Sequence, residues 1–507
     1  MSNAETVREV LAAGRDNDAA IAAPDRRSMT FAELRRLSGA TVQRLNAMGL
    51  GRGDRIGIVL PNGPEMATAF LCIAQGATTA PLNPAYRADE FDFYLSDLNA
   101  KGLVVEMGSS SPAIEVARRR NIPIIALQAD GSGPAGGFTL DAAIKGAPAS
   151  AGPAGPEDVA LVLHTSGTTS RPKIVPLNHR NVSATARHIR ETLHLTRKDR
   201  CLNVMPLFHI HGLMAATLSS LGAGGSVFCT PGFNALKFFA WLKEARPTWY
   251  TAVPTMHQAI LTRAERNREI IAANPLRFIR SSSSSLPPQV MAELEAVFSA
   301  PVIESYGMTE AAHQMASNPL PPAAHKAGSV GVAAGPDVAI MDARGNLLPR
   351  GEIGEVVIRG PNVTLGYESN PKANAENFTN GWFRTGDQGR FDDDGYLFLT
   401  GRLKEIINRG GEKISPREVD EVLLDHPAVA QVVTFAMPHD KLGEDVAAAV
   451  VLRDGQAASE RDLRDFCAKR LADFKVPRKV LIMAEIPKGA TGKLQRIGLA
   501  EKLGLTA

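Results

Sequence analysis

The hydrophobic residues of the chain fall into short runs that alternate with helical patterns. Residues 55–60 and 102–106 have the apolar character of buried strands, and residues 64–75 between them predict a helix. Further runs of the same strand type lie at residues 122–127, 159–163, 174–177, 201–205, 225–229 and 249–253. Strands that alternate with helices in this way predict an α/β fold built on a sheet.

The pattern changes near residue 401. Two short runs just before this point, residues 355–359 and 396–400, predict the strands of a smaller β unit. The chain beyond it predicts two helices and two strands, at residues 416–424, 429–436, 446–452 and 460–471. This segment is long enough for a small independent domain. We therefore predict a large N-terminal α/β domain over residues 1–401 and a small α+β C-terminal domain over residues 402–507.

Composition narrows the class of protein. A chain of 507 residues exceeds one ordinary core, and its 44% hydrophobic and 21% charged residues are typical of a globular protein. Its net charge of +3 is nearly balanced, so nothing points to nucleic acid or a membrane surface as a partner. The four cysteines lie far apart without a CxxC pair, which indicates neither a zinc site nor a disulfide framework.

No targeting segment is visible in the sequence. The first residues lack a basic region followed by an apolar core, and no apolar run reaches the length of a membrane span. The last residues, 504–507, do not form a peroxisomal signal. These features predict a cytoplasmic protein, and they leave its oligomeric state open.

A loop rich in hydroxyl groups separates two of the predicted strands. Residues 165–173 read TSGTTSRPK. Hydroxyl and backbone N–H donors with Lys173 behind them suit a polyphosphate, which needs many donors, positive charge and close approach of the backbone. No Gly-Lys-Ser/Thr opens a helix here, so the segment is not a Walker A loop. Taken alone, it fits an ordinary Ser/Thr turn equally well.

Six further segments follow this loop in a fixed order, at residues 206–212 (PLFHIHG), 281–286 (SSSSSL), 306–310 (YGMTE), 385–387 (TGD), 401–404 (GRLK) with 410–413 (GGEK), and 487–493 (PKGATGK). Together with the loop they resemble the adenylate-forming superfamily of acyl-CoA synthetases, luciferases and peptide-synthetase adenylation domains. The resemblance covers essentially the whole chain. It implies a ligase that uses ATP and Mg²⁺ to convert a carboxylic acid to acyl-AMP and then transfers the acyl group to CoA.

The resemblance places the nucleotide on these segments. Tyr306 offers a ring to adenine, the two oxygens of Asp387 fit the ribose hydroxyls, and Arg402 adds a ribose contact. Outside this context Tyr306 would be read as core packing and Asp387 as a turn residue. The other predicted ATP contacts are Thr165, Ser166, Gly167, Thr168, Thr169, Lys173, Glu304, Ser305, Gly307, Met308 and Thr309.

The resemblance also implies which residues bind Mg²⁺ and neutralise the negative charge of the phosphates. Glu310 and the hydroxyl of Thr165 would hold Mg²⁺, and Lys173 would help neutralise the leaving pyrophosphate. Lys493, which alone would be read as a solvated surface charge, matches the family lysine that bridges the acid and the nucleotide near the α-phosphate. A mobile cation at that point lowers the barrier because the attack brings two anions together.

A movable C-terminal domain is a further implication of the resemblance. The region after Lys404 is expected to swing about this residue, withdrawing Lys493 from the nucleotide. The same movement would present Gly410 and Gly411 to the pantetheine arm of CoA, where glycine allows close approach to the backbone.

The predicted acid site is polar. By resemblance His209, also a catalytic candidate, lies at its mouth, Ser283 on its wall and His313 facing inward. An apolar tail would leave such groups unpaired at a cost of about 1–3 kcal/mol each, so a short, doubly charged acid is favoured. The alternative is that His313 only braces Glu310.

Longer strings around residues 249–255, 280–286, 317–321 and 406–416 resemble the oxalate–CoA ligases of plants and yeast. Malonate–CoA ligases are the nearest alternative, followed by other short- or medium-chain acyl-CoA synthetases. In malonate enzymes an arginine on the helix after Val-Pro-Thr holds the far carboxylate, whereas Ala259 stands at the matching place here. The chain departs from the usual pattern at Ser170 and Ile174, where glycine is common. A luciferase-type oxidation also stays open, because it shares the first half-reaction.

Overall fold

Four β-sheets with helices packed against them build the protein. The computed structural model describes residues 4–165, 172–488 and 494–505. Within this part of the chain the sheets have nine, seven, six and five strands. The two largest and the six-stranded sheet belong to the N-terminal region, and the five-stranded sheet lies entirely in the C-terminal region.

The seven-stranded sheet carries the ends of the hydroxyl-rich loop. Its inner strands run parallel and both of its edges are antiparallel. At one edge the last two strands pair so that Thr165 lies opposite Lys173. In spatial order the strands are Phe138–Asp141, Ile124–Ala129, Gly102–Glu106, Arg55–Val59, Thr78–Pro81, Val159–Thr165 and Lys173–Asn178.

The nine-stranded sheet brings most of the predicted site residues to one edge. Its six central strands are parallel, so their carboxyl ends face the same crevice, which is where ligands bind in open α/β sheets. In spatial order its strands are Val332–Ala333, His313–Ser317, Val302–Met308, Phe278–Ser282, Trp249–Ala252, Arg200–Asn203, Ser226–Cys229, Ala19–Ala23 and Arg26–Thr30.

The two smaller sheets follow later in the chain. The six-stranded sheet consists of Leu347–Leu348, Asp337–Met341, Gly354–Arg359, Trp382–Phe391, Phe378–Thr379 and Leu397–Arg402. The five-stranded sheet consists of Glu412–Ile414, Ile407–Arg409, Gly443–Leu452, Val429–His439 and Lys479–Ile482, and it encloses a hydrophobic core of its own. A large α/β region, a small β unit and a small C-terminal α+β unit are therefore confirmed, whereas the boundary at residue 401 stays a prediction.

Helices cover the faces of the sheets. The helix Phe31–Ala47 begins with a capping box between Thr30 and Glu33, and the π-helix His211–Leu218 is buried along its whole length. The other α-helices are Val7–Val10, Pro64–Ile73, Ala88–Asp97, Pro112–Arg119, His179–Thr192, Ser219–Gly222, Phe238–Ala245, Pro254–Ala264, Arg268–Ala273, Pro288–Phe298, Pro371–Asn377, Pro416–Leu424, Glu460–Ala468 and Leu499–Lys502. None of the helices in the described ranges is long and apolar enough to cross a membrane.

Predicted and observed elements differ mainly at their ends. The strand Gly102–Glu106 and the helix Pro416–Leu424 have the predicted bounds. The strand Val429–His439 extends three residues beyond its predicted end because it pairs as far as His439 with Gly443–Leu452. Cross-strand pairing, which involves residues distant in sequence, sets the end of this strand.

Candidate active site

Lys173 and Glu310 flank the same aromatic ring. The Lys173 ammonium lies 4.4 Å from the centre of the Tyr367 ring, at favourable cation–π distance. The Tyr367 hydroxyl donates a hydrogen bond of 2.7 Å to Oε1 of Glu310. Burial raises the pKa of Glu310, whereas this hydrogen bond and the positive charge of Lys173 act in the opposite direction. Tyr367 thus orients the carboxylate predicted to bind metal.

The donors at this place fit Mg²⁺. Glu310 follows the strand Val302–Met308 on a short 3₁₀ turn, and its side chain is buried. The described residues contain no group of three or more His, Cys, Asp or Glu side chains arranged around a metal position. Mg²⁺ in nucleotide sites is commonly held by one or two carboxylates together with phosphate oxygens. A single carboxylate near Lys173, whose strand partner is Thr165, suits that mode.

Tyr306, Asp387 and Arg402 form one connected group. The Tyr306 hydroxyl donates to Oδ2 of Asp387, and Nε of Arg402 donates to Oδ1 at 2.8 Å. Burial and the neighbouring Asp387 raise the pKa of Tyr306 well above its ordinary value, so the phenol stays protonated and can donate. Each oxygen of Asp387 keeps a second lone pair, which leaves room for the two ribose hydroxyls.

The remaining predicted nucleotide contacts lie on or directly after one strand. Ser305, Gly307 and Met308 are part of Val302–Met308, and Thr309 opens the 3₁₀ turn. The side chain of Glu304 faces the interior, where Oε1 accepts a 2.9 Å hydrogen bond from the Leu286 backbone N–H. The predicted contact of Glu304 with the nucleotide would therefore be made by its backbone and not by its side chain. Ser166, Gly167, Thr168, Thr169 and Lys493 lie outside the described residues.

The predicted acid site contains more polar groups than the sequence analysis identified. We call His211, Thr251, Arg280, Ser283 and His313 the polar cluster. Nδ1 of His211 lies 3.1 Å from Oγ of Ser283, and its Nε2 lies 2.6 Å from Oγ1 of Thr251. The rings of His211 and His313 are 5.0 Å apart between centres. Two histidines, a serine and a threonine thus converge at the carboxyl ends of adjacent strands.

Arg280 is the charged member of the polar cluster. It is 0% exposed, and its Nη1 lies 3.3 Å from Nε2 of His313 and 3.5 Å from Nε2 of His211. Nη2 donates to Oε1 of Gln314 at 3.3 Å. No Asp or Glu among the described residues forms an ion pair with it. Burial lowers the pKa of Arg280 to about 9, so the guanidinium is still charged at neutral pH.

The three predicted acid-site residues have different places in this arrangement. Ser283 is half-buried and His313 is buried, and both belong to the polar cluster. His209 is half-buried beside the cluster, and its Nδ1 accepts a 3.2 Å hydrogen bond from the His211 backbone N–H. His313 is bonded to Arg280 while Glu310 is bonded to Tyr367, so these two contacts do not support the bracing alternative.

Residues that the sequence analysis missed carry much of the cluster. His211 stands two positions after His209 in the same motif, and Arg280 directly precedes the serine run. An arginine beside a run of serines within a buried strand was the available signal, because charged residues are rarely placed there without a function or a partner. Thr251 and Tyr367 gave no comparable signal.

Three residues with positive φ lie in or beside the polar cluster. Ser283, Ala312 and His313 have φ values of 75°, 47° and 114°, in the region that residues with a β-carbon rarely adopt. Such conformations cost about 1–3 kcal/mol each and persist where the surrounding structure imposes them, as at binding sites. The strained backbone turns Ser283 and His313 into the polar cluster.

The C-terminal residues predicted to bind CoA form a tight turn. Gly410 and Gly411 connect the strands Ile407–Arg409 and Glu412–Ile414, with φ values of 59° and 102°. A two-residue hairpin of this kind requires positive φ at both positions, which explains the glycines without a ligand. A β-carbon added at Gly411 would meet no atom within 4 Å, so the turn is open on that side. Its contact with CoA stays a prediction.

The predicted hinge and the Ala259 position are compatible with their expected roles. Lys404 is exposed and follows Leu397–Arg402, the last strand of the six-stranded sheet. Ala259 is half-buried on the helix Pro254–Ala264, so the predicted helix after Val-Pro-Thr is present. Movement about Lys404 and the choice of acid stay predictions.

Comparison with known proteins agrees with this geometry. The profile of the AMP-binding enzyme family matches residues 8–368, and that of the AMP-binding enzyme C-terminal domain matches residues 418–493. The oxalate–CoA ligase of Arabidopsis thaliana is 47% identical over 489 residues, covering 93% of this chain and 95% of that protein. The oxalate–CoA ligase of Saccharomyces cerevisiae is 44% identical, covering 89% and 87%.

Among solved structures, ATP-bound MatB from Rhodopseudomonas palustris superimposes with a TM-score of 0.88 at 29% identity, covering 98% of both chains. The TM-score against apo MatB from the same organism is 0.78. Both the motifs and the fold therefore match over nearly the full length, and the resemblance found in the sequence is confirmed. The chain belongs to the family of AMP-binding enzymes.

Proposed function

We propose that this protein is an acid–thiol ligase that converts a short dicarboxylic acid to acyl-AMP with ATP and Mg²⁺ and then transfers the acyl group to CoA. Oxalate is the proposed acid. The observation that carries the choice is the polar cluster, in which a buried arginine without a carboxylate partner among the described residues stands behind two histidines and Ser283. The oxalate–CoA ligases at 47% and 44% identity support it.

The residues on the nucleotide side would contact different parts of the nucleotide, according to their charge. Asp387, held by Tyr306 and Arg402, would accept the ribose hydroxyls and fix the position of the nucleotide. Lys173 would face the phosphates, and Glu310 with Thr165 would hold Mg²⁺, which neutralises the charge of the leaving pyrophosphate. We assign Lys493 to the α-phosphate, where its cation would stabilise the attack of one anion on another.

The polar cluster discriminates between classes of acid. A fatty acid would cover the polar cluster with methylene groups and leave the Ser283 hydroxyl and the Arg280 guanidinium without an oxygen acceptor from the acid, at about 1–3 kcal/mol per group. A dicarboxylate supplies acceptor oxygens to these groups and negative charge to Arg280. Malonate, one methylene longer, is the nearest alternative, and Ala259 in place of an arginine weighs against it.

The test is the release of AMP and pyrophosphate by the purified protein with Mg²⁺-ATP, CoA and a panel of acids. We expect oxalate to give the highest kcat/KM, malonate a lower one and octanoate none. Ser283→Ala should reduce oxalate use by about tenfold or more while leaving the KM for ATP unchanged, since the hydroxyl belongs to the polar cluster and not to the nucleotide contacts. Ser284→Ala, which changes the neighbouring exposed serine, is the matched control. Turnover of octanoate without oxalate, or release of ADP, would contradict the proposal.

A further inference from the structure

Arg280 carries a buried positive charge that no described residue compensates with a negative one. A guanidinium that is fully removed from water is costly unless an anion or several acceptors compensate for the lost hydration. Among the described residues its acceptors are two imidazole nitrogens and one amide oxygen, all uncharged, and its Nε has no partner. None of the described residues supplies the missing negative charge, which points to an anionic ligand as its source.

The hydrogen-bond roles around Arg280 determine where the histidine protons lie. A guanidinium can only donate, so each imidazole nitrogen that it contacts must carry a lone pair. Nη1 of Arg280 faces Nε2 of both His211 and His313. Both rings therefore accept at Nε2 and bear their proton at Nδ1. The adjacent positive charge also disfavours a second proton on either ring.

This arrangement leaves the Ser283 hydroxyl as a hydrogen-bond donor on the open side of the cluster. With its proton on Nδ1, His211 donates to Oγ of Ser283 at 3.1 Å. Its single Nε2 lone pair is shared between the Thr251 hydroxyl at 2.6 Å and Nη1 of Arg280 at 3.5 Å. Oγ of Ser283 is then an acceptor toward the protein, so its own hydrogen is directed to a ligand. Ser283 is half-buried, whereas Arg280, His211 and His313 behind it are buried.

We infer that Arg280 is a positioning residue for the acid, because it fixes the protons of His211 and His313 on Nδ1 and supplies the positive charge that selects a doubly negative acid. The inference rests on the proposed function and adds to it a source for the selectivity. It differs from a site in which protonated histidines attract the acid. The histidines stay neutral, and the positive charge at neutral pH is that of the guanidinium.

The other described groups near Arg280 do not supply a competing charge. From the strand Arg200–Asn203, Cys201 acts on Arg280, and burial raises the pKa of its thiol well above the usual range. From the helix His179–Thr192, the hydroxyls of Thr185 and Thr192 contact Gln314. His209 contacts the backbone of His211 from the preceding loop. The charge of the cluster at neutral pH is therefore that of Arg280.

The pH dependence of oxalate use distinguishes a site charged by Arg280 from a site charged by protonated histidines. In Arg280→Met the two imidazoles are released from the guanidinium and regain the ability to take up a proton below about pH 6.5, the ordinary histidine value. We expect kcat/KM for oxalate to fall about 100-fold at about pH 8 but less than about tenfold at about pH 6, relative to the unaltered protein. The KM for ATP should stay unchanged at both pH values.

Two further variants control the experiment. Arg280→Lys keeps a charged donor. At about pH 8 its kcat/KM for oxalate should be at least about tenfold higher than that of Arg280→Met, and it should depend little on pH. Arg277→Met removes an arginine that precedes the same strand and is paired with Asp199 at 3.0 Å, and it should change neither quantity. An equal loss at both pH values in Arg280→Met, or no loss, would overturn the inference while leaving the proposed function intact.

A measurement on the unaltered protein keeps the inference testable if Arg280→Met does not fold or if oxalate is not the substrate. With ¹⁵N-labelled histidine, NMR reports which ring nitrogen carries the proton, and His211→Gln and His313→Gln identify the two signals. We expect both rings to be protonated at Nδ1 and to stay neutral at about pH 6. Protonation at Nε2 of either ring would overturn the inference, and absence of oxalate turnover with Nδ1 protonation would contradict only the proposed substrate.

Discussion

At the scale of single residues, the environment of each charged group decides what it can do. Glu304 lies within the strand Val302–Met308 and Glu310 follows it, and these two buried carboxyls have different partners. Glu310 is bonded to a tyrosine that also contacts Lys173, whereas Glu304 accepts from a backbone N–H and its Oε2 has no partner among the described residues. These contacts fit the proposed metal-binding role of Glu310 and a structural role of Glu304.

Tyr367→Phe tests the support of Glu310. The change removes the 2.7 Å hydrogen bond to the carboxylate but keeps the ring beside Lys173. Because Glu310 loses its orienting donor, we expect the Mg²⁺ concentration for half-maximal pyrophosphate release to rise about tenfold, corresponding to about 1.4 kcal/mol. Tyr396→Phe is a close control, since Tyr396 also donates its hydroxyl, to Ala324, and has Lys326 4.3 Å from its ring centre. Equal Mg²⁺ dependence in both variants would argue against a metal at Glu310.

Glu304 should make the stability of the fold depend on pH. Burial raises the pKa of Glu304 from 4.5 to about 7. Between these values the folded state holds the proton more tightly than the unfolded state, so the free energy of unfolding falls as pH rises, by about 3 kcal/mol in total, and levels off above about pH 7. In Glu304→Gln this contribution is absent. Its stability relative to the unaltered protein should therefore improve between about pH 5 and about pH 8 in urea denaturation.

The exposed Glu293→Gln provides the comparison for this measurement, because its side chain lies on the solvent side of the helix Pro288–Phe298. Its urea curves should shift with pH in parallel with those of the unaltered protein. If Glu304→Gln also shifted in parallel, Glu304 would be ionised in the folded state throughout this range.

At the scale of elements, the C-terminal sheet is tied to the chain that follows it by a buried ionic group. Arg496, three residues after Lys493, pairs with Asp420 at 2.6 Å and with Glu405 at 3.3 Å. Its Nη1 also donates to the Thr434 carbonyl. Asp420 lies on the helix Pro416–Leu424 and Glu405 directly follows the predicted hinge. One guanidinium thus connects the last segment, a helix and the hinge region.

Arg496→Met should destabilise this region strongly. Removing one partner leaves the buried carboxylate of Asp420 without its counter-ion, at a cost of about 3–5 kcal/mol. Chemical denaturation followed by a probe in the C-terminal region should show the loss. Arg461→Met removes an exposed arginine whose partner Asp465 lies 3.7 Å away, and it should change stability by less than about 1 kcal/mol. Similar effects of the two changes would mean that the Arg496 group is open to solvent.

At the scale of the whole molecule, the two units meet through polar contacts. Gln258 donates to the Ala430 carbonyl at 3.2 Å, and Arg417 donates to the Leu399 and Gly328 carbonyls at 2.8 and 3.4 Å. Interfaces of this polar kind are compatible with relative domain motion. The higher TM-score against ATP-bound than against apo MatB places the present arrangement nearer to the nucleotide-bound one.

Two variants separate the half-reactions that such motion would serve. Lys493→Ala should reduce acyl-AMP formation by about 100-fold or more, because it removes a cation from the developing charge, and it should spare thioester formation from supplied acyl-AMP. Lys404→Pro should do the reverse, since proline restricts φ at the hinge. Lys488→Ala, in the same segment as Lys493 but paired with Glu485, should affect neither step. Equal loss of both half-reactions in both variants, with intact folding by circular dichroism, would contradict the two-closure account.

Much of the architecture could be predicted from local pattern alone. The alternation of strand and helix, the order of the motif segments and the bounds of Gly102–Glu106 and Pro416–Leu424 depend on neighbouring residues, and each was visible in the sequence. Family membership follows from that order because each segment has a chemical content of its own. Strand ends such as His439 were not visible, because pairing with a distant strand sets them.

The polar cluster shows what only the tertiary structure decided. Thr251, Arg280 and His313 lie on separate strands and His211 on a buried π-helix, and the order of strands in the nine-stranded sheet brings them together. That order results from long-range pairing, which a sequence does not state locally. The sequence by itself, through its resemblance to the family, predicted serine and histidine at the acid site. Whether a buried arginine stood behind them, with uncharged partners, depended on which side chains the folded sheet placed around it.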